Sequence, residues 1–228
     1  MQIINSIGLH LFMVALIVIL AGLIIINRNN ISKNETKWAK IFGYTILTVW
    51  ILYNIYNFLP TNFKIGESLP LHVCDVLAGV SIIALLSQNR KARTVLYFCA
   101  LPLTSQAIMT PTGEQNPLLI RFWLFWCLHA GIILASIYEI CIRKYSPTFK
   151  SFLFVVLCDI LYIIIILPID VVFNFNYGFI GNSSPDTATM VDVFGPWPIR
   201  ILWMLSAVVL VQFLMYVPWR LKKSDNLS

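Results

Sequence analysis

The stretch GESLPLHVCDVLAGV, residues 66–80, sets His72, Cys74 and Asp75 close together at the head of an apolar run. An imidazole, a thiol and a carboxylate are the groups that nucleophilic and acid–base chemistry use. At about 100° per helical residue, His72 and Cys74 point in nearly opposite directions, so one helix does not make them partners. His72 and Asp75 are three apart and share a face, where Asp75 orients His72 or simply satisfies it. A base for Cys74 then has to come from another helix, and His129 in FWLFWCLHAG is the candidate. Pro70 suits the first turn of a helix, which puts Cys74 just past that turn. A helix N-terminus favours the thiolate. Each residue also has a bland role. A buried Cys is commonly a small hydrophobe, and a lone intramembrane His commonly a hydrogen bonder between helices.

The elements that carry these residues are apolar. Of 228 residues, 59% are hydrophobic and 11% charged, and the mean hydropathy is +0.81. A soluble domain of this size needs far more charged surface. Runs of about twenty apolar residues recur, which is the bilayer-spanning signature. The expectation is an all-α, polytopic membrane protein, one domain over 1–228. Its seven helices run at about 7–26, 40–59, 70–86, 94–110, 118–142, 149–173 and 197–217. The N-terminus lacks the basic region of a secretory signal, so the first run reads as a retained helix.

Charge tests the count. Arg28, Lys33, Lys37 and Lys40 follow span one; Arg90, Lys91 and Arg93 follow span three. Arg143, Lys144 and Lys150 follow span five; Arg220, Lys222 and Lys223 follow span seven. Seven spans put all thirteen on one side, leaving Lys64, Arg121 and Arg200 for the other. The positive-inside rule then sets the N-terminus outside and the C-terminus in the cytoplasm. The formal charge of +6 is thus a topology signal, and its division among short loops argues against nucleic acid as a partner. No glycine-rich phosphate loop or metal-ligand spacing is present, and no cofactor or metal is expected. None of the five cysteines sits in a spaced extracellular framework, and Cys99, Cys127, Cys141 and Cys158 read as packing residues.

Ionisable groups inside spans are costly and are functional candidates. At about 1.5 Å per residue, His72, Cys74 and Asp75 lie roughly 3–8 Å from the outer end of span three. His10, Gln106 and Asp170 lie near the same level, and Asp159 sits deeper. Glu139 reads as a solvated residue near the cytoplasmic end, beside Arg143. His129 falls roughly 12–16 Å deep, so its pairing with Cys74 depends on helix tilt. The loop 174–196 is the longest on the outer side, a plain connector or a lid.

LPLHVCD at 69–75, CLHAG at 127–131, NFNYGFI at 174–180 and GPWP at 195–198 together resemble the YwaF family of bacterial integral membrane proteins. That family is related to the eukaryotic transmembrane protein 164 family. The resemblance covers most of the chain and includes a histidine near the start of span one, here His10. It implies a multi-pass protein of the bacterial plasma membrane and a cysteine-dependent acyltransferase acting on phospholipid acyl chains through a thioester. Cys74 matches the nucleophile and His129 the partner histidine. The residues expected to support or line the site are His72, Asp75, Gln106, His10, Asp159 and Asn176. A lipid acyl hydrolase would use the same site. A small-solute or proton-coupled transporter and a non-catalytic scaffold or sensor are the other readings of intramembrane polar residues.

Overall fold

The computed structural model describes residues 2–111, 116–182 and 190–225, with the backbone alone described for 2–6 and 222–225. Among the described residues the regular elements are all helical: α1 (Gln2–Ile26), α2 (Arg28–Lys33), α3 (Glu35–Phe58), α4 (Ile65–Ser68), α5 (Val73–Ser87), α6 (Arg90–Cys99), α7 (Ser105–Met109), α8 (Ile120–Cys141), α9 (Phe149–Phe173) and α10 (Ile199–Asp225). A π-helical stretch, Ala100–Thr104, joins α6 to α7, and single 3₁₀ turns lie at Tyr177–Phe179 and Met190–Phe194. Six helical segments are long and apolar enough to cross a membrane: Ile7–Ile26, Glu35–Phe58, Ile65–Ser87, Ile120–Cys141, Phe149–Phe173 and Ile199–Leu221. The chain is a multi-pass membrane protein. The expected span at 94–110 corresponds to the run α6–π–α7. Its break has a local cause: Pro102 supplies no backbone donor and opens the ladder. Ser105 Oγ donates to the Leu101 carbonyl there.

Local chemistry sets the helix ends. Asn89 Oδ1 accepts from the amides of Lys91 and Ala92 at 2.9 and 3.1 Å, starting α6. Thr148 Oγ1 accepts from Ser151 N at 3.1 Å, starting α9. Gln88 and Asn174 close α5 and α9 with positive φ.

α8 is the central helix. Of its apolar window 67% is buried, against 11% for α1 and for α10. Leu77, Leu85, Leu96, Phe98, Leu128 and Ile132 form the heart of the core. Gly43 of α3 lets Leu86 approach, since a Cβ there would meet Leu86 Cδ2 at 2.7 Å. Side chains such as Val18, Ile164, Leu202 and Leu214 are exposed on the outside, as a lipid-facing surface requires.

The basic loops meet at one face. Arg143, beyond α8, pairs with Glu35 of α3 and with Glu139 (2.7 Å), and Arg93 of α6 pairs with Glu139 at 2.5 Å. Trp219 of α10 donates to Tyr97 Oη at 2.9 Å, and the Tyr97 ring packs on Tyr145, two residues after Arg143. This is the face that the positive-inside rule assigns to the cytoplasm. Glu139 differs from the solvated residue expected from sequence. It is fully buried, because two guanidinium groups take its charge.

Candidate functional site

The start of α5 differs from the sequence expectation, and the difference has a cause. Pro70 does not lie in the first helical turn. The residue before a proline is pushed out of the α region, and Leu69 accordingly sits at φ −70°, ψ 141°. That extended residue ends α4. The helix restarts only at Val73, with His72 as its N-cap at φ −63°, ψ 147°. Cys74 is therefore the second residue of α5, one turn closer to the helix end than expected. Because His72 stands outside the helix, it does not share a helical face with Asp75, and the expected pairing of the two does not form.

Depth follows from length. α5 has 15 residues and so spans about 22 Å, short of a hydrocarbon core of about 30 Å. If Ser87 marks one edge of the hydrocarbon, α5 alone ends roughly 8 Å short of the other edge. α4 and residues 69–72 make up the rest of the crossing. His129 follows the start of α8 by nine positions, or roughly 14 Å. The late start of α5 thus narrows the estimated depth difference between Cys74 and His129, and among the described residues no hydrogen bond joins the two side chains. Independently, His72 and His129 lie within electrostatic range of one another.

The environment of each candidate is distinct. Cys74 is half-buried, in electrostatic range of Asp75, Tyr53 and Tyr162. The amides of Asp75 and Val76 bond to the His72 carbonyl at 3.0 and 3.2 Å. The amides of Val73 and Cys74 have no acceptor among the described residues. Asp75 is buried beside α3, where Trp50 Nε1 turns to its carboxylate without closing a hydrogen bond of ordinary geometry. His129 is buried, and its Nδ1 lies 2.8 Å from the Phe125 carbonyl. A carbonyl only accepts, so Nδ1 carries the proton and Nε2 is left with its lone pair. Nε2 has no hydrogen-bond partner among the described residues. His10 packs edge-on against Trp126, one turn from His129, with ring centroids 5.5 Å apart.

The loop after α9 covers the start of α5. Tyr177 is fully buried, donates to the Ile65 carbonyl and stacks edge-on against His72 at 4.8 Å. Tyr162 of α9 donates to the Leu71 carbonyl at 2.7 Å. Asp170 Oδ1 accepts from Tyr177 N and Asn176 Oδ1 from Gly181 N, both at 3.0 Å. Asn176 therefore helps to shape the covering loop. Trp197 donates to the Ile180 carbonyl at 3.0 Å, and Arg200 donates to that of Gly181. The described part of the expected lid, 174–182, is packed on the site; positions 183–189 lie outside the described residues.

Two expected members stand apart. Gln106 is half-buried in α7 and makes no side-chain hydrogen bond among the described residues. Asp159 sits deeper, where Gln212 Nε2 donates to its Oδ2 at 2.7 Å and Cys99 Sγ lies 3.7 Å from its Oδ1. This group borders an apolar cavity of about 140 Å³, lined by Val73 and Leu77 of α5, Tyr162 of α9 and Leu205 of α10. Tyr162, Tyr177 and Gln212 were not singled out from sequence. Gln212 had a readable signal, as the one amide in the apolar run 199–217. The tyrosines had none beyond the NFNYGFI stretch itself.

No curated protein and no solved structure matches the chain. A family model described as the TMEM164 family matches residues 6–216, and the chain belongs to that family.

Proposed function

We propose that the protein is a membrane-embedded acyltransferase of the YwaF type, sited in a bacterial plasma membrane, acting on phospholipid acyl chains through Cys74 and His129. The observation that carries this reading is the seat of Cys74: second in a helix of 15 residues whose first two amides have no acceptor among the described residues. In this reading His129 Nε2 takes the thiol proton as Cys74 Sγ attacks the ester carbonyl of a phospholipid. The carbonyl oxygen becomes an oxyanion, held by the amides of Val73 and Cys74. Collapse expels the lysolipid oxygen, which takes the proton from His129, and leaves an acyl thioester on Cys74. A second lysolipid hydroxyl then attacks the thioester, giving its proton to His129, and the thiol is regenerated. The apolar cavity beside Val73 and Leu77 suits the acyl chain, one helical position away from Cys74. A lipid hydrolase differs only in having water as the second nucleophile.

The test is acyl exchange between labelled phosphatidylcholine and lysophospholipid by purified protein in vesicles. Cys74→Ser is expected to abolish exchange and His129→Ala to lower it by about 10²–10⁴. Unchanged exchange in both variants would end the proposal. A solute carrier has one observation in its favour, the interrupted helices at residues 69–72 and at Ala100–Thr104. Solute flux in liposomes that persists in Cys74→Ser would favour it.

A further inference from the structure

The basic face contains a hollow of about 230 Å³ lined by Arg90, Arg93, Arg143, Lys144, Tyr145 and Ser146. Two of its four cations are neutralised. Arg143 spends its donors on Glu35, on Glu139 and on the carbonyls of Ala84 and Leu85, both at 2.9 Å. Arg93 Nε bonds to Glu139 at 2.5 Å, and its guanidinium lies 5.3 Å from the centre of the Tyr145 ring. These contacts make a fixed wall, since Glu139 is fully buried and Tyr145 Oη is held at 2.7 Å by Thr94. Arg90 and Lys144 are exposed at the rim and have no carboxylate partner among the described residues. The Ser146 hydroxyl and Arg93 Nη1 have no acceptor there either. Against four cations stand two carboxylates, so the hollow holds an excess of two positive charges.

A row of solvated loop cations explains a topology signal, but it does not explain a concave wall. Fixed guanidinium donors, two uncommitted cations and a hydroxyl converging on one small hollow suit a tetrahedral polyanion. At a membrane face, phosphate is the anion most at hand. We propose that this hollow binds a phosphate-bearing anion, the chemistry shared by an acidic lipid headgroup and a free phosphate. The site lies on the opposite face from Cys74 and does not depend on acyl transfer.

The test uses the full chain in neutral detergent. Native mass spectrometry measures retention of phosphatidic acid against phosphatidylcholine, and calorimetry measures binding of inorganic phosphate. Wild type is expected to retain phosphatidic acid preferentially. Arg90→Gln with Lys144→Gln should weaken this about thirtyfold, from the worth of two cations near an anionic surface. A control pair at the start of α3, Lys37→Gln with Lys40→Gln, should change it less than about threefold. Both substituted pairs are exposed, and an unchanged thermal midpoint checks that they fold. Competition by inorganic phosphate identifies a free phosphate as a sufficient ligand; lipid binding without it identifies the headgroup. Equal retention of the two lipids by wild type, or an equal loss in the control pair, would overturn the proposal.

Discussion

Gly178 couples the covering loop to the start of α5 through Tyr162, which holds the Leu71 carbonyl. Its φ is +63°, in the region that side chains disfavour, and a Cβ there would meet Tyr162 Oη at 2.7 Å and Cε1 at 2.9 Å. Gly178→Ala therefore does two things. It places an L residue in the left-handed region, at about 1 kcal/mol. It also drives the Tyr162 ring aside, and the hydroxyl loses the Leu71 carbonyl that it holds at 2.7 Å, for about 1 kcal/mol more. The expected total is about 2 kcal/mol. Tyr162→Phe removes the same bond without the backbone change and should cost about 1 kcal/mol. The bond can be lost only once, so the double variant should stand near 2 kcal/mol, not 3, a coupling of about −1 kcal/mol. Equilibrium unfolding in mixed micelles measures all three. Strictly additive effects would show that Gly178 does not act through the Tyr162–Leu71 bond, and the account of the loop as a clamp on α5 would fail.

Two further substitutions probe the frame. Glu139→Gln leaves Arg93 and Arg143 facing a neutral group in a buried position, and should destabilise by about 3–5 kcal/mol in the same unfolding assay; a loss under about 1 kcal/mol would mean that the guanidinium groups are solvated. Gly43→Val puts two methyl groups where a Cβ alone already meets Leu86 Cδ2 at 2.7 Å, and should cost about 1–3 kcal/mol by overpacking α3 against α5. Equal stability of Gly43→Val and wild type would place the α3–α5 contact further apart than described.

The all-helical, membrane-crossing architecture was legible because hydrocarbon leaves few options for a long apolar run, and because the basic residues recur after alternate spans. Arg93, Arg143 and Trp219, read as loop or interface residues on one side, do meet at one face. The start of α5 was misjudged because Pro70 fits two local structures. Proline at the first helical position and proline after an extended residue share the same φ. The outcome was decided by His72, whose extended backbone delays the helix to Val73, and by the contacts that hold the Leu71 carbonyl and His72 from outside. Those contacts come from Tyr162 and Tyr177, about ninety and a hundred residues away, and no local pattern encodes them. Glu139 was misread for a related reason. A carboxylate near a helix end is normally solvated, and only the arrival of Arg93 from another helix makes burial tolerable.

The shortness of α5 has a chemical consequence that joins these points. An unsatisfied amide in hydrocarbon costs several kcal/mol, and a helix that begins below the surface brings such amides with it. Asp75 and Val76 send theirs to the His72 carbonyl; Val73 and Cys74 do not. A fold that kept these two amides dry would lose more than most single contacts contribute. In hydrocarbon, the acceptors that could satisfy them are water and a lipid carbonyl. In the proposed mechanism, a lipid carbonyl held there would be placed for attack by the Cys74 thiol. In the same mechanism, water held there would be placed to hydrolyse the thioester. Under the proposed acyl transfer, the covering loop built on Tyr177 would limit water at the start of α5 while a lipid enters from the side. On this argument, loosening the loop should raise the ratio of hydrolysis to transfer in labelled-lipid assays before it lowers their sum. Gly178→Ala is the variant in which to look, and an unchanged ratio would separate the loop from the chemistry.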